Sequence, residues 1–375
     1  MSRQGPQTAD VAIVGAGAIG TACAWRLAQR GAETLLIDPD PARGAWNTAA
    51  GMLAPITELH FTESALLRLN LAAVAVYPEH VAELTEATGL PTGYLECGTI
   101  EVAWDGADLR HLRDLHEFGT SLGLASSLLT GRELRSVEPA LAAGLPGGLL
   151  AEFDHQVDPR LLHAAHLRAA LDQGAQLRTA QVTRIGDGEL DLSDGTRVEA
   201  DTVVVAAGAW ARQLCDLPVR PVKGQTLRLR LPGPPRLGRV VRAEVNGNPV
   251  YVVPRSDGRL VVGASSEETG FDIAPRAGAV YELLRDAQAV IPELGEAVLE
   301  EVSTGLRPGS ADNAPLIGRT GQHTVVATGH YRNGILLAPL TADAVTALVL
   351  DDTELDAVTP FRPGRTGTDV VLEVR

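Results

Sequence analysis

The sequence predicts a mixed α/β fold, α+β in its two-domain arrangement, with one domain built on a parallel sheet and the other on a mainly antiparallel sheet. Nearly continuous apolar runs at Val11–Gly15, Thr34–Asp38 and Thr202–Ala206 are typical of strands buried on both faces. From Leu227 onward apolar and polar residues alternate, which indicates half-exposed antiparallel strands. The length of 375 residues is enough for two modest domains.

Composition and charge exclude several classes of function. Hydrophobic residues make up 45% and charged residues 21% of the chain, as in an ordinary globular protein. The formal net charge of −15 repels phosphate backbones, so we expect no nucleic-acid partner. Cys23, Cys97 and Cys215 are scattered and form no CxxC pair, so the sequence predicts neither a disulfide framework nor a metal site.

Nothing in the sequence predicts a membrane partner. Residues 1–10 are polar and lead directly into an apolar strand, without the basic region and separate apolar region of a signal peptide. No apolar stretch approaches the roughly 20 residues that span a bilayer. We therefore expect a cytoplasmic protein.

The chain opens with a strand–helix–strand unit. After the first strand, apolar residues at helical spacing predict a helix from Ile19 to Arg30, and Gly31 ends it. The strand Thr34–Asp38 follows directly. Two such strands joined by one helix indicate a parallel sheet.

The motif GAGAIG lies between the first strand and the helix, as in a Rossmann-like dinucleotide site. Gly15 permits the turn, Gly17 lets the backbone approach a pyrophosphate, and Gly20 lets the helix pack on the strand. The helix N-terminus offers N–H groups to the phosphates. Asp38 ends the second strand, where an acid binds ribose hydroxyls. A chance glycine-rich turn is the alternative, and the motif leaves open which dinucleotide is bound.

The later elements follow from the same patterns. Asp158 and Pro159 are typical of a helix start, and the turn Ser193–Thr196 predicts a hairpin. Pro78 is expected to disturb a long helix. The predicted helices span 63–88, 109–122, 131–137, 158–173, 278–290 and a final segment that ends at 350; the predicted strands span 98–104, 176–185, 189–192, 197–199, 250–254 and 259–264.

Buried and half-exposed strands are interleaved along the chain, which indicates discontinuous domains. We expect the nucleotide domain to comprise residues 1–90, 145–220 and 300–375. The substrate domain is expected to comprise residues 91–144 and 221–299.

Three further segments suggest a flat ring beside the dinucleotide site. AAGMLAP, which starts at Ala49, has small residues that let the chain pass close to a ring, although a plain surface turn explains it equally well. The other two segments, Asp201–Trp210 and Val326–Pro339, each consist of a strand followed by a glycine, which is Gly208 in the first. The second then begins a helix, whose N–H groups can face a ligand.

Together with PVKGQTLRL, VYVVPRSDGRLVVGAS and GLRPGSADNAPLIG, these segments resemble the D-amino acid oxidase-like family of FAD-dependent oxidoreductases. Within the family they are most similar to the glycine oxidases of thiamine biosynthesis. The resemblance runs from about residue 10 to residue 345. It implies a Rossmann-like FAD-binding domain, a substrate domain and a homotetramer.

The resemblance also implies a non-covalent FAD. Related sarcosine oxidases attach the flavin through a late cysteine, and none of the three cysteines lies in that region. The family usually has a Ser- or Thr-rich stretch before AAGM, from which Trp46 and Asn47 depart, so we assign no contact to Ala45 or Trp46. The cofactor-binding residues that the motifs and the resemblance imply are Gly15, Gly17, Ala18, Ile19, Gly20, Asp38, Pro39, Thr48, Ala50, Gly51, Met52, Val182, Gly208, His330, Tyr331, Arg332, Asn333, Gly334, Ile335 and Leu336.

The resemblance implies four substrate-binding residues: Arg307, Tyr251, Arg332 and Met52. Arg307 is expected in a loop, where its guanidinium clamps the substrate carboxylate through both oxygens; without the resemblance, a surface arginine is the simpler interpretation. Tyr251 is expected to reach the same carboxylate, and a half-buried sheet tyrosine is its alternative. For Arg332, a helix-cap role is the alternative.

No side chain is predicted to act as an obligatory base, because in this family the flavin takes a hydride from a neutral amine. His330 is therefore not assigned to proton transfer, although histidine is the usual candidate. Glu58 and Glu63 are expected to be solvated acids at a helix start.

The resemblance implies oxidation of glycine, sarcosine or small D-amino acids to the imine and then the 2-oxo acid. O2 is reduced to H2O2, and the glycine imine supplies thiazole synthesis for thiamine. A dehydrogenase of the same fold that passes electrons to a quinone is the first alternative. An FAD module that acts on a macromolecule such as tRNA is the second, and the negative charge argues against it.

Overall fold

The computed structural model describes residues 7–233 and 237–365; the first six residues, which enter the signal-peptide prediction, lie outside this part. In chain order, the strands are β1 (Gln7–Val14), β2 (Thr34–Asp38), β3 (Met52–Leu53), β4 (Thr99–Ala103), β5 (Ser127–Thr130), β6 (Gly147–Ala151), β7 (His155–Gln156), β8 (Gln176–Thr179), β9 (Val182–Ile185), β10 (Glu189–Leu192), β11 (Arg197–Val205), β12 (Arg220–Arg230), β13 (Val240–Val245), β14 (Asn248–Pro254), β15 (Arg259–Gly263), β16 (Val298–Gly309), β17 (Leu316–Arg319) and β18 (Thr324–Thr328).

The α-helices are α1 (Ala18–Gln29), α2 (Ala45–Thr48), α3 (Ser64–Thr88), α4 (Gly106–Ser121), α5 (Gly131–Val137), α6 (Pro159–Asp172), α7 (Ala211–Leu214), α8 (Ala277–Val290) and α9 (Gly334–Leu350). Short 3₁₀ helices cover Gly208–Trp210, Pro292–Glu296 and Thr359–Phe361. Within the described ranges, no helix is both long enough and apolar enough to cross a membrane.

Local signals explain several helix ends. The Asp158 carboxylate accepts a hydrogen bond of 2.9 Å from the Arg160 N–H, and Pro159 occupies the first turn of α6, as predicted. The helix α3 ends at Gly89, which has the left-handed φ of 67° that favours glycine. Pro78 lies inside α3 without ending it, so the expected disturbance does not divide the helix.

The first sheet has eight strands and is mostly parallel, with the central order β18-β11-β1-β2-β8. Alternate residues of β1 belong to two hydrophobic clusters: Val11 and Ile13 pack with helices α1, α3, α6 and α9, whereas Ala12 and Val14 pack with β9, β10 and α7. Both faces of the sheet are therefore covered, which explains why its strands read as continuous apolar runs.

The second sheet also has eight strands, in the order β16-β12-β15-β14-β13-β4-β6-β5. It is antiparallel except for the β13–β4 pair. One face packs against α8, through Leu283, Ala287 and Val290. The two sheets confirm the predicted mixed α/β architecture.

The division into two domains remains a proposal, and sheet membership shifts its boundaries. The strand β6 begins just after the predicted boundary at 145, and β16 extends across the boundary at 300 to Gly309, yet both pair within the second sheet. Boundaries near residues 152 and 310 suit the hydrogen bonding better. The runs predicted separately at 197–199 and 202–206 form one strand, β11.

Candidate functional site

The turn after β1 is the tightest part of the site. Gly15 has a φ of 107°, and a Cβ there would lie 2.6 Å from the Ala206 carbonyl oxygen. A Cβ on Gly20 would overlap the Gly15 carbonyl oxygen. A Cβ on Gly17, in contrast, would have its nearest neighbour at 3.9 Å, the Trp46 Cδ1. The turn therefore has the geometry that the motif predicts: two glycines are required by packing, and the third faces open space.

Asp38 is held rigidly at the end of β2. Its carboxylate accepts hydrogen bonds from the N–H of Ala16, at 2.7 Å, and from the N–H of Asp40, at 2.8 Å. Burial raises the pKa of the Asp38 carboxyl, and these two donors oppose the rise. Asp38 also lines the cavity, where its carboxylate can accept further hydrogen bonds.

A large cavity runs from this turn to the second sheet; its empty volume is about 1710 Å³, including the part open to solvent. Residues of both sheets line it. The predicted site residues on its wall are Gly15, Gly17, Ala18, Ile19, Asp38, Thr48, Ala50, Gly51, Met52, Gly208, Tyr251, Arg307, His330, Tyr331, Arg332, Gly334 and Ile335.

Five residues assigned to the cofactor are not brought to this wall. Gly20 faces the Gly15 carbonyl, where it lets α1 approach β1. Pro39 is exposed beside Asp38. Val182 and Leu336 are buried in hydrophobic clusters, and Asn333 occupies the N-cap position of α9. Direct contact of these five residues with the cofactor stays a prediction, and their positions outside the cavity wall do not favour it.

The cavity wall also includes residues to which no contact was assigned from the sequence. Ala45 and Trp46 lie on it, in the short helix α2. The sequence signal for this was the departure from the family pattern, because a large aromatic residue must alter the wall at a position where relatives have Ser or Thr. Thr226 and Ser265, from β12 and just after β15, complete the wall near the second sheet.

The position of Glu58 contradicts another prediction. The helix α3 begins at Ser64, with Glu63 as its N-cap residue, so Glu58 is not at a helix start. Its side chain is only 18% exposed and forms a 2.6 Å ion pair with Arg242. Both residues line the cavity, and the prediction of a solvated role for Glu58 was wrong. Local sequence cannot reveal a partner on a distant strand.

Arg307 lies in the strand β16, and the expectation of a loop was wrong. Its backbone pairs with Val222 of β12. The Arg307 guanidinium lies over Gly224, where a Cβ would be 2.6 Å from Cζ. Its Nη1 donates a 3.1 Å hydrogen bond to the Ser265 carbonyl. The strand and the missing side chain at Gly224 together fix the direction of the guanidinium.

Tyr251 reaches the same place from β14. It pairs with Gly263 of β15, and a Cβ on that glycine would be 2.5 Å from the Tyr251 Cζ. Burial raises the pKa of the Tyr251 phenol, while the adjacent Arg307 charge opposes the rise. The hydroxyl therefore stays protonated at neutral pH and can donate a hydrogen bond. Two side chains from separate strands thus present donors at one end of the cavity.

Arg332 and His330 come from the loop before α9. Arg332 is exposed, and its Cζ lies 5.1 Å from the centroid of the Tyr331 ring. Because Asn333 occupies the N-cap position, the helix-cap alternative for Arg332 is not supported. His330 is buried, with Nε2 3.0 Å from the Thr341 hydroxyl, and burial lowers its pKa to about 3. Such a low pKa makes this imidazole a weak base, which agrees with the prediction that His330 does not act as one.

The only lysine of the chain, Lys223, is connected to Arg307 through a series of polar contacts. Lys223 is fully buried; its Nζ pairs with Glu267 at 3.0 Å and donates to the Ala274 carbonyl at 2.9 Å. Glu267 accepts a 2.7 Å hydrogen bond from the Ser265 hydroxyl, and the Ser265 carbonyl is the acceptor for Arg307. A chain of polar contacts therefore joins the buried lysine to the guanidinium.

Replacing Lys223 with methionine is expected to lower the free energy of unfolding by about 3 kcal/mol, because Glu267 loses its buried cation. We also expect a higher KM for the substrate, because Ser265 loses its support. Urea denaturation of the apoprotein measures the first effect. Replacement of the exposed Arg212 with methionine is the matched control. A loss below about 1 kcal/mol, or an equal loss in the control, contradicts the supporting role.

The wall fits the predicted FAD. The turn at Gly17 places the N-terminus of α1 against open space, which suits a pyrophosphate. Asp38 lies where a ribose hydroxyl would donate. Ala50, Gly51 and Met52 line the cavity, where a flat ring could lie along this stretch of the chain.

Comparison with known proteins agrees with this fit. The family of FAD dependent oxidoreductases, DAO, matches residues 10–348. A bifunctional ThiO/ThiG protein of Synechocystis sp. is 36% identical over 366 residues, covering 96% of this chain and 54% of the relative. Glycine oxidase of Geobacillus kaustophilus is 37% identical over 355 residues, covering 91% and 92%. The chain spans about half the length of the curated relatives that it matches first, 53–54%.

Solved structures give the same result. The crystal structure of glycine oxidase from Geobacillus kaustophilus has a TM-score of 0.91 and 36% identity, covering 96% of this chain and 99% of that chain. Iminodiacetate oxidase from Chelativorans sp. has a TM-score of 0.86 and 30% identity, covering 94% and 98%. With its glycine turn, its cavity and this match along nearly its whole length, the chain belongs to the family of FAD dependent oxidoreductases.

Proposed function

We propose that this protein is an FAD-dependent amine oxidase that acts on glycine and other small amines, such as sarcosine and small D-amino acids. The observation that carries the proposal is the pair Arg307 and Tyr251, two interacting side chains from the second sheet that both line the cavity. A guanidinium and a phenol side by side suit one carboxylate. The names of the relatives, glycine oxidase and ThiO/ThiG, support the same substrate and a role in thiamine biosynthesis.

The reaction proposed for glycine is its two-electron oxidation by O2. Glycine and O2 give the imine of glyoxylate and H2O2, and water then releases ammonia and glyoxylate from any imine that is not consumed. When bound, FAD supplies the redox chemistry by accepting the α-hydrogen of the substrate as a hydride. O2 as acceptor, a cytoplasmic location and a homotetramer are part of this proposal and rest on the family resemblance.

The protein contributes binding and orientation. Arg307 holds the carboxylate from the rigid strand β16, and Tyr251 donates its hydroxyl proton to the same group. Fixing the carboxylate fixes the α-carbon relative to the flavin ring, which the proposed contacts at Ala50, Gly51 and Met52 hold. We assign no proton transfer to His330, because its lowered pKa makes it a weak base and its Nε2 is engaged with Thr341.

The purified protein is expected to be yellow and to lose its flavin colour on anaerobic addition of glycine. Readmission of O2 should restore the colour and release one H2O2 for each imine. A panel of glycine, sarcosine, D-alanine and ethylamine tests the substrate class. Ethylamine is the matched control, because it has the amine but no carboxylate for Arg307, and we expect little turnover.

Two results would contradict the proposal in different ways. If none of the amines reduces the flavin, the substrate class is wrong. If glycine reduces the flavin but O2 does not reoxidise it, while a quinone does, the protein is a dehydrogenase.

A further inference from the structure

We propose that Arg255 is a positioning residue: its buried guanidinium fixes the segment Ala50–Met52 against the strand that carries Tyr251, and so sets the flavin relative to the substrate. The inference rests on the proposed function, because it concerns the transfer from an amine whose carboxylate Arg307 and Tyr251 hold. Arg255 is buried behind the cavity wall and is not among the residues that line it, so it acts through the segment that it holds.

The first observation is a guanidinium that binds the backbone of this segment. Arg255 is only 7% exposed, and its Nη2 donates a 2.6 Å hydrogen bond to the Ala50 carbonyl oxygen. Its Nη1 donates to the Val157 carbonyl oxygen at 3.1 Å and to the Gln156 side-chain oxygen at 2.5 Å. The planar guanidinium directs its donors rigidly. The Ala50 carbonyl therefore cannot turn without losing a charge-assisted hydrogen bond.

The second observation is the effect of this contact on the next peptide group. The Ala50–Gly51 peptide is trans, so its N–H points opposite to its carbonyl and therefore away from Arg255. The Gly51 carbonyl accepts a 2.9 Å hydrogen bond from the Val157 N–H. A Cβ on Gly51 would lie 2.1 Å from the Val157 carbonyl oxygen, and its φ is 74°. The backbone is therefore fixed on both sides of Gly51, which lines the cavity in this orientation.

The third observation is that Arg255 and Tyr251 follow the same alternation of side chains. Alternate residues of a strand lie on one face. Tyr251 and Val253 pack with Ala50 and Met52, whereas the residues between them on β14 pack in the cluster that contains α8. Arg255 comes next in the first series and binds Ala50. One face of this chain segment therefore carries both the substrate phenol and the group that holds the cofactor segment.

Arg239 provides a matched control in the second sheet. It is half-buried, and its Nη1 donates a 2.7 Å hydrogen bond to the Cys97 carbonyl oxygen. It is not among the residues that line the cavity. Replacement of Arg239 with methionine therefore removes an arginine–carbonyl contact of the same kind, but leaves the hydrogen bond to Ala50 intact.

The experiment compares the holoenzymes of wild type, Arg255→Met, Arg255→Lys and Arg239→Met. Anaerobic stopped-flow reduction by glycine gives the limiting rate of flavin reduction and the Kd of glycine. We expect Arg255→Met to lower the limiting rate by about 30- to 100-fold, because a misplacement of about 1 Å can cost about 100-fold. The Kd of glycine should change by less than about threefold, because the residues that bind its carboxylate are unchanged.

The lysine variant separates charge from geometry. Arg255→Lys keeps the cation but not the planar fork, so it should hold one carbonyl and lower the limiting rate by about tenfold. Arg239→Met should leave the limiting rate unchanged. A residue that only stabilises the fold would lower the melting temperature of the apoprotein without this selective loss of rate over substrate affinity.

Titration of the apoproteins with FAD gives a readout that does not depend on turnover. We expect the Kd of FAD to rise by about tenfold in Arg255→Met, because the segment Ala50–Met52 is no longer held in the orientation that receives the ring. Arg239→Met should bind FAD as wild type does.

Several results would overturn the proposal. They are a limiting rate within about threefold of wild type in Arg255→Met, a loss confined to the Kd of glycine, and an equal loss in Arg239→Met. If Arg255→Met does not fold, a wild-type limiting rate in Arg255→Lys overturns it instead. If no amine reduces the wild-type flavin, the proposed function fails, and the FAD titration then decides the role of Arg255: a Kd within about twofold of wild type in Arg255→Met rejects it.

Discussion

Replacing Arg307 with methionine is expected to lower kcat/KM for glycine by about 100- to 10,000-fold. The proposed clamp makes two charge-assisted hydrogen bonds to the carboxylate, and each contributes about 1.5–3 kcal/mol. Methionine keeps much of the volume of the side chain but offers no donor. Steady-state kinetics measure the effect, and titration of the apoprotein with FAD checks that cofactor affinity is unchanged.

Two controls isolate the carboxylate contact of Arg307. The exposed Arg332 also lines the cavity, and its replacement by methionine should have a smaller effect if Arg307 is the clamp. The slow oxidation of ethylamine, which has no carboxylate, should be similar in wild type and Arg307→Met. Retention of glycine kcat/KM within about fivefold would reject the clamp. An equal loss on ethylamine would show that the change disturbs the site in general.

Replacing Gly20 with alanine is expected to destabilise the apoprotein by at least about 3 kcal/mol, or to prevent folding. The new Cβ would overlap the Gly15 carbonyl oxygen, so α1 would have to move away from β1. Urea denaturation of the apoprotein measures the loss. Bound FAD would add stability by mass action, so the measurement must exclude it.

The matched change Gly17→Ala is expected to have the opposite effect: the apoprotein stays stable, but FAD binding is weakened. Its Cβ would have no protein atom nearer than 3.9 Å, and the φ of −76° suits alanine, so apo stability should fall by no more than about 1 kcal/mol. The methyl group would, however, occupy the space through which the backbone approaches the pyrophosphate, and we expect the Kd of FAD to rise by at least about 100-fold. Tight FAD binding by Gly17→Ala, or native stability of Gly20→Ala, would contradict this division of roles.

Local sequence was sufficient for the first half of the site. The turn from Gly15 to Gly20 and the acid at Asp38 are fixed by residues close together in the chain, and the structure has the predicted strand–helix–strand arrangement. The same holds for α6, whose start depends on Asp158 and Pro159. In these cases the turn or helix start and the residues that stabilise it are close together in the sequence.

The part of the site that the second sheet provides could not be predicted from local sequence. The strand β16 contains Gly305, Arg307 and Pro308, a composition typical of a loop, yet it pairs along β12 from Val298 to Gly309. Its glycine and arginine are explained by the cavity rather than by strand propensity. Glu58 was misassigned for a related reason, since its partner Arg242 lies on a strand far along the chain.

The sequence by itself therefore determined the dinucleotide turn, the mixed α/β architecture and, through family resemblance, FAD and the choice of Arg307 and Tyr251. Only the tertiary structure decided which side chains share the cavity: it brought Arg307 and Tyr251 together over Gly224 and Gly263, paired Glu58 with Arg242, and placed the Trp46 ring on the cavity wall. The physical reason is that strand pairing joins segments distant in the chain, and burial then depends on neighbours that local periodicity does not record.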